Sequence, residues 1–143
     1  MIICDTGPIF AVADRKDVDH DACVELFTGL RLAGRRLAGA PNGAGGGGHL
    51  LSTKLGSFAE VAFLESLMIG SFELVELTPP DVTQIADLAG RYSDLPLGTT
   101  YASVIALAER LDIDGIAALD HWHFRIVRPS HVQALTLLPP TAA

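Results

Sequence analysis

The chain opens with Met1-Ile2-Ile3-Cys4-Asp5-Thr6, a short apolar run that ends in a carboxylate and a hydroxyl. Such a run predicts a buried strand with Asp5 at its carboxyl end. In open parallel α/β sheets, ligands and metal ions collect at the carboxyl ends of the strands, so Asp5 is a candidate site residue. A second interpretation stays open, in which Asp5 only caps the helix that follows.

The same arrangement returns near the other end of the chain, in Gly115-Ile116-Ala117-Ala118-Leu119-Asp120. Here too an apolar strand is predicted to lead into an Asp, and Asp120 has the same capping alternative. Parallel strands bring their carboxyl ends to one edge of a sheet. The pair of strands therefore favours a shared acidic centre made by Asp5 and Asp120.

Strand-like and helix-like apolar patterns alternate along the chain. Helices are predicted over residues 8–13, after a cap at Asp17 or Asp19, over 57–68, from Pro79 to about Tyr92, and from a cap at Thr99 or Thr100 to Leu111. Further strands are predicted over residues 72–77, 124–127 and 135–138. This alternation predicts an α/β fold, with a central, mostly parallel sheet between two helical layers.

One segment does not fit that pattern. It is the insert-like run Gly39-Ala40-Pro41-Asn42-Gly43-Ala44-Gly45-Gly46-Gly47-Gly48, which has no large side chain. Glycine loses the most backbone entropy on ordering, so we predict a flexible, irregular loop over residues 39–48. The run lacks the Lys-Ser/Thr pair of a phosphate-binding P-loop.

Size and composition predict one globular domain over residues 1–143. The chain is 49% hydrophobic, yet it has no apolar stretch long enough to span a bilayer and no basic lead before its first apolar run. We therefore expect a cytoplasmic protein without a membrane partner. Cys4 and Cys23 lack metal-ligand spacing, and buried reduced thiols are expected. The net charge of −7 disfavours broad electrostatic binding to nucleic acid, but a carboxylate site can meet phosphate through a metal ion.

Over nearly its whole length the chain resembles the PIN-domain ribonucleases, and within them the VapC-like toxins of bacterial toxin–antitoxin pairs. Three stretches carry the resemblance: residues 3–6, Asp94-Leu95-Pro96-Leu97-Gly98-Thr99-Thr100, and residues 118–120 followed by His123-Phe124-Arg125. The resemblance implies a PIN-like α/β/α fold and a toxin-type endoribonuclease that hydrolyses RNA with Mg²⁺ or Mn²⁺. It also implies a cognate antitoxin as partner, and a homodimer.

The family's active site is a cluster of acidic residues that holds the metal, and Asp5 and Asp120 match its first and last positions. The other two positions are not acidic here. Tyr101 stands where an Asp usually begins the apolar helix, and Gly46 aligns with the usual Glu. The stretch Ala59-Glu60-Val61 has the right local pattern but comes too late in the chain. We therefore expect weak metal binding and little turnover, because a neutral phenol does not replace a carboxylate ligand at pH 7.

Two compensating frame changes are one hypothesis for the glycine run. Codons for residues 37–48, read one base later, can encode a strand, a turn and an Ala-Glu-Val helix start. The DNA sequence tests this idea.

Other residues are assigned roles with open alternatives. The Thr6 hydroxyl would orient a metal-bound water or a phosphate, or else bond locally to backbone. Arg125 is the predicted RNA contact, in a segment from His121 to His131 that mixes cations with an aromatic side chain. Asp94 more simply stabilises a turn.

Two other functions compete with the nuclease. A PIN fold without its catalytic acids would still bind an antitoxin, through a groove on the early helices that includes Val24 and Phe27. A phosphoacceptor domain would also place an Asp at a strand end. That interpretation requires a lysine after a late strand, whereas Lys16 and Lys54 are the only lysines.

Overall fold

The strand predicted at the start of the chain is the middle strand of the sheet. In the computed structural model, which describes residues 1–39, 72–95 and 98–140, β1 (Ile2–Cys4) has three side chains that are at most 6% exposed. The other described strands are β2 (Leu37–Gly39), β3 (Phe72–Leu74), β4 (Gly115–Ala117) and β5 (Thr136–Leu138). They lie in the order β3-β2-β1-β4-β5, and every neighbouring pair is parallel.

Gly39 belongs to the sheet, so the predicted loop begins at least one residue too early. It is the last residue of β2, where it pairs with Leu74 of β3. A Cβ atom at Gly39 would lie 2.7 Å from Cζ of Phe72 and 3.2 Å from the carbonyl oxygen of Cys4. Glycine is therefore needed for the close approach of the Phe72 ring to the sheet.

Helices cover both faces of the sheet. They are α1 (Thr6–Ala13), α2 (His20–Leu32), α3 (Pro79–Arg91), α4 (Gly98–Leu111) and α5 (Trp122–Ile126). Successive side chains of a strand point to opposite faces. Ile3 accordingly joins one apolar cluster with residues of α3 and α4, while Ile2 and Cys4 join a second cluster with residues of α2. The expected three-layer α/β/α fold with a parallel central sheet is confirmed.

An ion pair between a buried carboxylate and a partly exposed guanidinium joins α3 to α4. Thr78 and Asp81 form a reciprocal capping box at the start of α3, with Pro79 as the first helical residue. The Asp81 side chain is only 4% exposed, and Arg110 Nε of α4 donates to its Oδ2 at 2.9 Å. Arg110 also donates to the carbonyl oxygen of Glu76 at 3.0 Å.

Some predicted elements are wrong or shorter than expected. Residues 124–127 were predicted as a strand, but residues 122–126 form α5, which buries Phe124 to 1% exposure. A run of four apolar and basic residues fits a strand and a helical turn equally well, so the pattern alone did not decide. The helix that was predicted to follow a cap at Thr99 or Thr100 begins at Gly98, so neither residue is its N-cap. The strand predicted over residues 72–77 ends at Leu74.

Several expectations are confirmed or fall outside the described ranges. Cys4 and Cys23 are free thiols and both are buried, as predicted. Asp19 is the N-cap of α2, although its side chain makes no capping hydrogen bond. The predicted helix over residues 57–68 and the run 40–48 lie outside the described residues. The single domain over residues 1–143 stays a prediction. In the described part of the chain, no helix has the length and apolarity to cross a membrane.

Candidate functional site

The two predicted carboxylates follow neighbouring strands at the point where the strand order reverses. β1 and β4 pair directly, and the order β3-β2-β1 runs away from them on one side while β5 lies on the other. Open α/β sheets bind ligands in the crevice at such a switch point, beyond the carboxyl ends of the strands. Asp5 follows β1 immediately, and its backbone N–H donates to the carbonyl oxygen of Ala117 at 2.8 Å. Asp120 lies three residues after the end of β4.

The capping alternatives have different outcomes for the two residues. Asp5 is the N-cap of α1, but its side chain makes no capping hydrogen bond. Asp120 does serve the start of α5, because its Oδ1 accepts a hydrogen bond from the backbone N–H of Trp122 at 3.1 Å. Asp5 therefore occupies the N-cap position without a side-chain cap, whereas Asp120, which precedes the N-cap residue His121, accepts from the first turn of α5.

Asp120 Oδ2 is the centre of a hydrogen-bonded group. The Tyr101 hydroxyl of α4 donates to this oxygen at 2.7 Å, and His123 Nδ1 of α5 lies 2.7 Å from it. The Asp120 side chain is 40% exposed and that of His123 is 21% exposed, so the group opens to solvent on one side. Both lone-pair directions of Oδ2 are thus engaged, and the backbone N–H groups of Trp122 and His123 also donate to this carboxylate.

The electrostatics of this group keep Asp120 ionised and Tyr101 neutral. Burial raises the pKa of Tyr101 to about 12, together with the hydrogen bond to Asp120 and the charges of Asp120 and Asp5. The effect of both charges indicates that the phenol lies near both carboxylates. Partial burial also raises the pKa of Asp120, but the hydrogen bonds from Tyr101 and His123 outweigh it, so the net pKa is lowered.

Aromatic rings continue from this group toward the surface. The Tyr101 and His123 rings are stacked, with centroids 4.4 Å apart and an interplanar angle of 12°. The Trp122 ring packs edge to face against the His123 ring, with centroids 4.8 Å apart and an interplanar angle of 85°. Phe124 supports Tyr101 from the core at 5.3 Å. The Trp122 side chain is 56% exposed, so the row of rings ends in solvent.

The remaining predicted residues have mixed placements. Thr6 is the first residue of α1, directly after Asp5. Arg125 is exposed on α5. Asp94 is exposed in the turn after α3, in line with a turn residue. Gly46 lies outside the described residues.

Sequence reasoning missed the part that His123 plays in the site. His123 was assigned no role of its own from the sequence, yet it contacts Asp120. The i, i+3 spacing of the two residues at a helix start was the signal that would have identified it. His121 is buried, and its Nε2 contacts the carbonyl oxygen of Ala118 at 2.8 Å.

The donor set of the site is suited to a hard divalent cation only in part. Carboxylate oxygens are the ligands that Mg²⁺ prefers, and Mg²⁺ is commonly held by one or two carboxylates with substrate phosphates and waters. Asp5 and Asp120 supply two carboxylates, but the Asp120 oxygens already accept hydrogen bonds from Tyr101, His123 and Trp122, and a cation would have to displace one of these donors. Within residues 1–39, 72–95 and 98–140, no group of three or more His, Cys, Asp or Glu side chains could hold a metal ion.

The chain is similar to known proteins in sequence and in fold. No protein-family model matches the chain. The chain is 30% identical over 138 residues to Ribonuclease VapC26 of Mycobacterium tuberculosis (strain ATCC 25618 / H37Rv), an alignment that covers 96% of this chain and 100% of that protein. Its fold is similar to the crystal structure of Mycobacterium tuberculosis VapC20, a Sarcin-Ricin loop cleaving toxin. The TM-score is 0.74 and the identity 18%, over 86% of this chain and 92% of the other.

Proposed function

Because the chain belongs to the VapC-like family of PIN-domain ribonucleases, we propose that it is a toxin-type endoribonuclease of a toxin–antitoxin pair. It hydrolyses RNA phosphodiester bonds with Mg²⁺ or Mn²⁺. The observation that supports this most directly is that β1 and β4 pair directly, with Asp5 immediately after β1 and Asp120 three residues after β4. VapC26 is named as a ribonuclease and VapC20 as a toxin that cleaves RNA of the Sarcin-Ricin loop, in keeping with this site.

The roles of the side chains follow from their chemistry. Asp5 and Asp120 would hold the divalent cation, which supplies charge neutralisation at the phosphate and an activated water. Thr6, beside Asp5, orients that water or a phosphate oxygen through its hydroxyl. Arg125, exposed on α5, contacts the RNA backbone. His123 fixes the orientation of Asp120, so we assign it as a positioning residue.

Tyr101 lowers the activity in this proposal. Its phenol donates to the same oxygen of Asp120 that contacts His123, and its raised pKa of about 12 keeps the proton on the phenol at neutral pH. A cation must therefore compete with this donor for Asp120. Gly46, at the other position where the family usually has an acid, supplies no carboxylate either. We expect weak metal binding and slow turnover.

A cleavage assay tests the proposal. Fluorescently labelled single-stranded RNA is incubated with the protein and Mg²⁺ or Mn²⁺, and the products are resolved on a denaturing gel. Asp5→Ala is expected to lower the rate by more than about 100-fold, since it removes one of two metal ligands. Tyr101→Asp is expected to raise the rate, because it adds a carboxylate beside Asp120.

The matched control is Tyr92→Phe, which removes the chain's other phenol. Tyr92 directly follows α3, and its hydroxyl oxygen accepts a hydrogen bond from the backbone N–H of Arg128. This variant is expected to cleave RNA at the parent rate. Cleavage that is equal in the parent and in Asp5→Ala would contradict the proposed site.

A second candidate function is favoured by the hydrogen bond between Tyr101 and Asp120. If that bond excludes the cation, the protein is a catalytically inactive PIN module that binds the cognate antitoxin. Val24 of α2 is 39% exposed, whereas Phe27 of the same helix packs partly buried against the sheet, so Val24 is the better groove residue. Two results together would support this alternative. The parent would not cleave RNA, and it would co-purify with the antitoxin in an association that Val24→Asp weakens.

The proposal extends to assembly and location. The protein acts in the cytoplasm as a homodimer, in keeping with the family resemblance. Light scattering after size-exclusion chromatography measures the mass against the 15.1 kDa of one chain. A single-chain mass at micromolar concentration would contradict the homodimer.

A further inference from the structure

Trp122 is an exposed aromatic side chain that lies directly beside Asp120 of the candidate site. Its side chain is 56% exposed, and its backbone N–H donates to Asp120 Oδ1 at 3.1 Å. Other large apolar side chains are also exposed, among them Leu32 at 81%, so exposure alone has little meaning. The distinctive feature of Trp122 is its position next to Asp120, the carboxylate that lies near the RNA phosphate in the proposed function.

The indole is held in place by its neighbours. It meets the His123 ring edge to face at 4.8 Å, and that ring is itself stacked on Tyr101 at 4.4 Å. His123 is also fixed by its contact with Asp120 Oδ2. A ring that is already oriented loses little conformational entropy when a flat ligand stacks on it.

The charge around Trp122 suits a polyanion despite the net charge of −7. Arg125 lies three residues along α5, and side chains at this spacing share a helix face. Arg125 is exposed, as is Arg128 just beyond the helix. An aromatic surface beside cations is the arrangement that binds single-stranded nucleic acid, through base stacking and backbone attraction.

We propose that Trp122 is the stacking platform for an unpaired nucleobase of the RNA whose phosphate lies at Asp5 and Asp120. This inference rests on the proposed function, and it assigns Trp122 a specificity role. A purine stacks over a larger area than a pyrimidine, so the platform favours a purine next to the cleaved bond.

The platform is tested by the fluorescence of Trp122, the only tryptophan of the chain. The full chain is titrated in EDTA, so that RNA is not cleaved, with six-nucleotide oligoadenylate and oligouridylate RNA. Stacking is expected to quench the indole emission, at lower concentrations of oligoadenylate than of oligouridylate. Inorganic tripolyphosphate, which has charge but no base, is expected to leave the emission unchanged.

Variants are compared by the fluorescence anisotropy of a labelled oligoadenylate. Trp122→Ala is expected to weaken binding by roughly 5- to 150-fold, as for the loss of one stacked base, and Trp122→Phe by less. The matched control is Leu32→Ala, which truncates an exposed apolar side chain at the end of α2. That end leads into the amino end of β2, at the opposite edge of the sheet, and binding should be unchanged.

The outcomes separate this inference from the proposed function. If the protein cleaves RNA but the indole emission is not quenched, and Trp122→Ala binds RNA as tightly as the parent, the stacking platform is overturned and the proposed nuclease function stands. Quenching without cleavage supports the platform and contradicts the nuclease. An emission maximum that shifts to shorter wavelength as protein concentration rises, without RNA, means that a second copy covers Trp122, and it overturns the platform.

Discussion

The phenol of Tyr101 controls which partners Asp120 can accept. It donates to Oδ2 of that residue, and the same oxygen contacts His123 Nδ1. Burial, the hydrogen bond and the two nearby carboxylates raise its pKa to about 12, so it remains a donor at pH 7. A cation that approaches Asp120 must either displace this donor or bind through Oδ1.

Tyr101→Phe is expected to tighten Mn²⁺ binding by about five- to tenfold, because one hydrogen bond no longer competes for Oδ2. The measurement is the loss of the free Mn²⁺ signal in electron paramagnetic resonance as protein is added. The ring contacts with His123 and Phe124 are retained in this variant. The expected loss of folding stability is therefore only about 1 kcal/mol.

Tyr92→Phe serves again as the control, since its oxygen accepts from Arg128 and is not part of the acid group. Its Mn²⁺ affinity should equal that of the parent. Weaker binding in Tyr101→Phe than in the parent would mean that the phenol supports the cation, and the competition would be refuted.

At the scale of elements, the start of α3 and the end of α4 depend on one carboxylate. Asp81 accepts from the backbone of Thr78 in the capping box and from Arg110 Nε in the ion pair. Loss of Asp81 removes both the capping contact and the ion pair, whereas loss of the Thr78 hydroxyl removes only one bond of the cap, so the first loss is expected to be larger.

Asp81→Ala is expected to lower the free energy of unfolding by about 2 kcal/mol, whereas Thr78→Ala should lower it by about 1 kcal/mol. Urea denaturation followed by circular dichroism compares the two variants. Equal losses would show that the contact with Arg110 contributes nothing beyond the cap.

For the whole molecule, the parallel sheet between two helical layers was the most predictable feature. β1 and β4 read as apolar runs because both are buried on both faces, and each precedes an Asp. That pattern was sufficient to predict a shared acidic centre at one edge. The resemblance then indicated the family, which the 30% identity to VapC26 bears out.

Short elements and side-chain contacts were less predictable, for physical reasons. Leu37–Gly39 has one large apolar side chain, and only its neighbours β1 and β3 make it a strand. The helix at 122–126 depends on Asp120 accepting from the N–H of Trp122, a contact that apolar spacing does not reveal. The bond from Tyr101 to Asp120 joins residues 19 positions apart and requires the packing of α4 against the sheet.

Glu109 contributes to the pH dependence of stability, because it joins α4 to Gln84 of α3 and to Ser130. Partial burial raises the pKa of Glu109, but the hydrogen bonds from Ser130 and Gln84 and the charge of His131 lower it below the ordinary 4.5. A lowered folded-state pKa means that the stabilisation is present above pH 4.5 and is lost as the pH falls through the folded-state value.

Glu109→Gln is therefore expected to lower the free energy of unfolding by about 1 kcal/mol at pH 7. The difference from the parent should shrink as the pH falls below 4.5. Urea denaturation at a series of pH values measures it. Asp87→Asn, which disrupts an exposed pair with Arg91, is the control and should change little. A difference that grows toward low pH would contradict the role of Glu109.

The reactivity of the two buried cysteines reports which part of the fold unfolds first. Burial raises the pKa of the Cys4 thiol far above its ordinary value and that of Cys23 to about 11, so neither reacts while it stays enclosed. Cys4 lies in the central strand and Cys23 in α2. Faster labelling of Cys23 than of Cys4 by a thiol reagent would reveal that α2 detaches before the sheet separates. Equal rates would reveal a molecule that opens as one cooperative unit.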